Sequence, residues 1–134
     1  MTSLKAIEGI GPVYMEKLHG CGINSCEALL EKAASPAGRK ALANESGISG
    51  KLVLKWANRA DLARVKGIGT QYADLLEVAG VDTVPALARR NPENLLKAML
   101  DANEARKTVK RPPTIGQVTE WVSTAKELPR VMTY

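Results

Sequence analysis

Apolar residues recur three and four positions apart along most of the chain, the spacing that lines side chains up on one face of an α-helix. Tyr72, Leu75, Leu76 and Ala79 form one such stripe, and Tyr14, Leu18 and Cys21 form its counterpart nearer the start. Leu52, Trp56 and Ala60, with Val53 and Ala57 beside them, predict a helix over residues 51–64 that enters a Gly-Ile-Gly turn. Leu95, Leu96, Met99 and Leu100 predict another helix, and Val118, Trp121, Val122 and Ala125 predict a last one able to close a bundle. The start signals agree: Ser35-Pro36 and Asn91-Pro92 each read as an N-cap followed by proline at the first helical position, and Thr114 opens the last helix. Ser46-Gly47-Ile48-Ser49-Gly50 reads as a turn, while Pro112-Pro113 forbids a helix through the segment before it and predicts an extended connection. No alternating series predicts a sheet, although residues 130–134 could extend along the surface.

The pattern repeats. Ile7-Glu8-Gly9-Ile10-Gly11-Pro12-Val13-Tyr14-Met15-Glu16-Lys17-Leu18 aligns with Val65-Lys66-Gly67-Ile68-Gly69-Thr70-Gln71-Tyr72-Ala73-Asp74-Leu75-Leu76 at an offset of 58 residues. Without a gap, Gly22-Ile23-Asn24-Ser25 then matches Gly80-Val81-Asp82-Thr83, and Ala28-Leu29 matches Ala86-Leu87. Each copy thus reads as a glycine turn, a helix, a glycine stop, a polar N-cap and a second helix. Repeat 1 covers residues 4–33, repeat 2 residues 50–90, and a helical extension residues 91–134.

Length and composition narrow the class. A chain of 134 residues is expected to form a single domain around one core, and 45% hydrophobic with 25% charged residues is globular composition. With no Phe, the core must be filled by aliphatic side chains. No apolar run is long enough to span a membrane and no signal peptide opens the chain, so a cytoplasmic protein without a membrane partner is expected. Cys21 and Cys26 suit buried thiols in a reducing compartment; with His19 they supply only three ligands, so no metal site is expected. The net charge of +5 is uneven: residues 89–134 carry 9 Lys/Arg against 5 Asp/Glu, whereas residues 1–88 carry 10 against 9.

The repeated turn carries the candidate chemistry. A Gly-x-Gly turn that opens a helix leaves backbone amides unpaired at the positive end of the helix dipole, which makes an anion site, with phosphate the obvious anion. Gly9 to Gly11 and Gly67 to Gly69 satisfy this requirement. Pro12 has no amide hydrogen and Glu8 adds a negative charge, which makes the first turn the poorer candidate. Arg106, Lys107, Lys110 and Arg111 form a basic segment suited to phosphate neutralisation, and Lys51, Lys55 and Arg59 share a helical face that could add to it. Isolated histidine, scattered carboxylates and the lack of a phosphate-loop Gly-Lys-Ser/Thr offer no catalytic constellation, so no enzyme is expected.

These motifs resemble helix-hairpin-helix proteins. Beyond the turns, Gly47-Ile48-Ser49, Trp56-Ala57-Asn58-Arg59-Ala60-Asp61-Leu62, Arg90-Asn91-Pro92-Glu93-Asn94 and Pro129-Arg130-Val131 resemble a bacterial family catalogued as domain of unknown function 4332, over essentially the whole chain. The resemblance implies an all-α, compact helical domain, a SAM-domain-like array with two helix-hairpin-helix repeats closed by C-terminal helices. It also implies sequence-independent contacts to a nucleic-acid backbone, DNA favoured, with phosphates held at Gly9, Ile10, Gly11 and Lys17 in the first copy and at Lys66, Gly67, Ile68, Gly69 and Thr70 in the second, and with no cofactor beyond a monovalent cation at a hairpin. A protein-interaction scaffold or self-associating helical domain is the alternative, and the near-neutral charge of residues 1–88 favours it.

Overall fold

The computed structural model describes residues 3–7, 9–107 and 109–134, with the side chains of Ala6 and Thr70 outside the description. Among the described residues the fold is all-helical, with no strand. A short 3-10 turn at Leu4–Ala6 precedes α1 (Pro12–Gly20), α2 (Cys26–Ala33), α3 (Pro36–Ser46), α4 (Gly50–Leu62), α5 (Thr70–Val78), α6 (Val84–Ala88), α7 (Pro92–Arg106) and α8 (Ile115–Glu127).

The helix starts follow from local chemistry. The side chains of Ser25, Ser35, Thr83 and Asn91 accept hydrogen bonds from the amides of Ala28, Gly38, Ala86 and Asn94, each satisfying one orphan donor. Thr114 and Gln117 form a reciprocal capping box at the start of α8. The stops are duplicated as well. Gly22 and Gly80 take φ of +79° and +97°, and the following amides of Ile23 and Val81 reach back to the carbonyls of Leu18 and Leu76 at 2.9 and 2.8 Å. With Gly22 and Gly80 bonded to His19 and Glu77, both helices end in the same paired motif, which needs a residue at positive φ.

Where length alone predicts one core, the buried hydrophobics gather in two clusters, within two compact units. One unit runs to Asp61 and takes in Val131–Tyr134; the other is Leu62–Arg130. In the first, Leu18, Leu29, Leu42, Val53 and Trp56 are buried together. In the second, Leu75, Leu76, Leu87, Leu95, Met99, Val118 and Trp121 are. Helix α4 does lead into the second glycine turn, but Val53, Trp56, Ala57 and Ala60 on its buried side belong to the first cluster.

Seen this way the repeat is longer than the turn motif. Val53, Trp56, Ala57 and Ala60 of α4 match Val118, Trp121, Val122 and Ala125 of α8, all buried, in two helices of 13 residues. Ser49 caps α4 as Thr114 caps α8. The offset has changed from 58 to 65 residues, because α7 is longer than α3 and the basic segment follows it.

Two corrections concern the ends of elements. Residues 131–134 form no helix or strand and three of them are exposed, but Met132 is only 1% exposed and lies in the first core, so the segment is anchored there by that one side chain. Arg59 is only 6% exposed, so the exposed basic face predicted for α4 reduces to Lys51 and Lys55.

Candidate nucleic-acid interface

Both Gly-Ile-Gly turns have one backbone geometry. Gly9 and Gly67 stand at φ of +95° and +93°, and Gly11 and Gly69 are extended N-caps at φ of −84° and −89°. The Ile10 amide donates to the Ile7 carbonyl at 3.4 Å and the Ile68 amide to the Val65 carbonyl at 3.1 Å, while both isoleucine side chains are buried. Ile10 and Ile68 therefore plug the core and use their amides inside the turn. Neither Gly11 nor Gly69 offers a side chain to cap its helix. In the second copy the amides of Gly69, Gln71 and Tyr72 find no acceptor among the described residues; in the first, those of Gly11, Val13 and Tyr14 find none. Such unpaired amides at a helix start are the donors an anion needs.

A tryptophan underlies each turn. The Tyr14 and Trp56 rings lie 5.1 Å apart between centroids, as do those of Tyr72 and Trp121. A Cβ placed on Gly9 would sit 3.6 Å from Trp56 Nε1, and one on Gly67 only 3.0 Å from Trp121 Nε1. Glycine is needed at both positions for the positive φ, and at Gly67 also for the closeness of the indole. Sequence reasoning left the tryptophans unconnected to the turns; their shared Val-x-x-Trp-x-x-x-Ala frame in α4 and α8 was the available signal.

The second turn has basic company. Tyr72, in the first turn of α5, donates its hydroxyl to the Arg111 carbonyl at 3.1 Å, which ties the basic segment to the start of that helix. The segment is held at other points too: the Val109 amide donates to Asn103 Oδ1 at 2.9 Å, Val109 is buried, and Lys107 closes α7 at φ +49°. The segment is thus held at Val109 and Arg111, with Arg106, Lys107, Lys110 and Arg111 all exposed, and Lys66 is exposed in the turn itself. Thr70 opens α5 as its first residue.

The first turn differs in chemistry. Where the second continues into Thr70-Gln71, the first continues into Pro12-Val13, with Val13 66% exposed. Beside it is an open hollow of about 430 Å³ walled by Ile10, Pro12 and Met15, with Lys5, Glu16 and His19 also lining it. Lys17 is exposed but stands 5.8 Å over the Tyr14 ring. Glu8, read as an unfavourable charge at this turn, lies outside the described residues. For a monovalent cation the turns offer backbone carbonyls, of which those of Leu4, Ile7, Leu62 and Val65 already accept amides. No cluster of three or more His, Cys, Asp or Glu side chains that could hold a metal occurs among the described residues.

The two cysteines are both free and differ in setting. Cys26 is buried, its thiol donates to the Ser3 carbonyl at 3.4 Å, and desolvation, then the Glu27 charge, push its pKa from 9.0 to about 11. At pH 8 a thiol reagent is therefore expected to modify half-buried Cys21 rapidly and Cys26 only upon unfolding. Because the folded thiol is the weaker acid, its contribution to stability is full below pH 9 and is lost as pH rises towards 11; equal labelling rates at pH 8 would contradict the assignment.

The fold and the paired turns define an all-helical protein made of two similar units, each presenting a glycine turn at a helix start. A family model described as Domain of unknown function (DUF4332) matches residues 8–128, and the chain belongs to that family, as the sequence resemblance implied. Neither the curated proteins nor the solved structures contain a match to it. Among the described residues no helix is long and apolar enough to cross a membrane.

Proposed function

We propose that this protein is a non-enzymatic module that binds the nucleic-acid backbone, DNA favoured, without reading sequence, through its second helix-hairpin-helix turn. The Tyr72 to Arg111 hydrogen bond carries the proposal, because it joins four exposed cations to a helix start with unpaired amides. In this reading the amides of Gly69, Gln71 and Tyr72 hold one phosphate, Lys66 supports it, and the basic segment takes neighbouring phosphates. Lys51 and Lys55 are an accessory surface. No cation is required by this arrangement. The protein-contact reading has its own observation at the first turn, where Val13 and the apolar hollow replace the polar start of α5.

The structure favours a cleaner test than substituting Gly67, which would break the turn. A Cβ on Gly11 or Gly69 meets nothing within 4 Å, and both have φ open to any residue, so Gly11→Glu and Gly69→Glu insert a carboxylate at each mouth without strain. In fluorescence anisotropy with labelled duplex and single-stranded DNA, the wild type should bind more weakly as salt rises. Gly69→Glu should lose about tenfold or more in affinity, and Gly11→Glu should resemble the wild type, with circular dichroism confirming the fold of both. Absence of binding at low salt would make protein contact the leading reading.

A further inference from the structure

The first unit contains residues that are remote in sequence from the rest of it: Val131–Tyr134. Contacts made by the main chain of Thr133, by Met132 and by Tyr134 hold this segment, and each resembles the way a groove holds a peptide. The Thr133 amide donates to the Ala34 carbonyl at 2.7 Å, at the end of α2. The Thr133 carbonyl accepts from Arg39 Nη2 at 2.8 Å, so the main chain at Thr133 is engaged on both its polar groups. Met132 is the buried anchor between these bonds and the first core. Tyr134 donates its hydroxyl to Asn58 Oδ1 at 2.7 Å, and its ring centroid lies 5.4 Å from the Arg39 guanidinium.

The receiving side is built and largely pre-set. Arg39 is 9% exposed, and its Nη1 donates to the carbonyls of Ala33 and Ala34 at 3.0 and 3.2 Å, contacts that do not involve the segment. Its other donor is thereby fixed towards Thr133. Asn58 is likewise buried, on α4, with its oxygen directed at the Tyr134 hydroxyl. Main-chain bonds set the register of an extended peptide, and one buried apolar side chain with one polar-tipped aromatic sets its identity.

We infer that α2, α3 and α4 form a binding groove for an extended peptide of the Met-Thr-Tyr type, and that its occupant in trans is the Val131–Tyr134 segment of a second copy of this chain. None of these contacts depends on the segment reaching the groove from the same molecule, and a second copy presents the identical residues. Reciprocal exchange of this segment then makes a closed, symmetric dimer. The tethered segment competes at an effective concentration in the ~mM range, so exchange is suppressed in dilute protein and favoured in concentrated protein.

The test uses the chain with residues 131–134 removed and a fluorescent peptide spanning residues 129–134. The shortened, folded chain should bind the peptide saturably, the intact chain should bind it at least about tenfold more weakly, and peptides carrying Met132→Asp or Thr133→Pro should lose about tenfold or more. Because the variants are in the peptide, their effect is independent of protein folding. Should the shortened chain not fold, the Met132 methyl resonance of the intact wild type gives the same readout. Excess wild-type peptide should move it towards its exposed position, and the Thr133→Pro peptide should not. Light scattering on the intact chain should show dimers appearing towards ~mM concentration. No binding by a folded shortened chain, or an unmoved Met132 signal at ~mM peptide, overturns the groove; a chain that stays monomeric at those concentrations overturns the second copy as its occupant.

Discussion

Trp121→Ala is expected to destabilise the second unit by about 3–5 kcal/mol, the range for truncating a large buried aromatic. Trp121 is 2% exposed, its ring is 5.1 Å from that of Tyr72, and its Nε1 lies against Gly67, so truncation empties the floor of the turn as well as the core. A loss of that size approaches the whole stability of a small domain, and amide-exchange protection in α5 to α8 should fall accordingly. The neighbouring glycines give a graded series by the same measurement. Gly67→Ala combines a positive φ with a Cβ 3.0 Å from the indole and should cost about 1–3 kcal/mol. Gly9→Ala meets Trp56 at an ordinary 3.6 Å and bears the backbone strain alone, about 1–2 kcal/mol. Gly11→Ala and Gly69→Ala meet nothing and should be near neutral. Equilibrium urea unfolding reads all five, and a Trp121→Ala protein as stable as Gly69→Ala would contradict the role assigned to the indole.

The parts legible in the sequence were those decided within a few residues. Caps at Ser25, Ser35, Thr83, Asn91 and Thr114 bond to amides three positions on, and the stops at Gly22 and Gly80 close on carbonyls of the preceding helix turn. What depended on distant packing was not legible. A helical wheel correctly groups Lys51, Lys55 and Arg59, but it cannot tell that α4 is buried all round from Trp56 onward, which is why Arg59 was misplaced. Met132 sits in too short a segment for any periodicity to mark it as core. The matching of α4 to α8 was hidden by the longer stretch between α7 and α8, although the residue frame is the same. For the candidate site, the glycine turns were visible, whereas the inward use of the Ile10 and Ile68 amides and the Tyr72 to Arg111 link are three-dimensional facts.

That link also fixes the largest effect expected on binding. Replacing Arg106, Lys110 and Arg111 by glutamine and Lys107 by asparagine removes four exposed charges from a segment held at Val109 and Arg111. Asparagine suits position 107 because it tolerates the φ of +49° there. The Tyr72 and Asn103 bonds use the backbone of Arg111 and Val109, so both holds persist without the charges, and unfolding midpoints should barely move. If each cation neutralises one phosphate, the slope of log affinity against log salt should become shallower by about 3–4, since each contact contributes roughly 0.9 for duplex DNA. The Gly69→Glu variant acts differently: it blocks one anion position and leaves the four cations, so it should lower affinity at every salt concentration while changing the slope by about 1. Combining the two separates the turn from the segment. A slope unchanged by the fourfold substitution would mean that these cations face solvent, and phosphate binding would then rest on the turn alone.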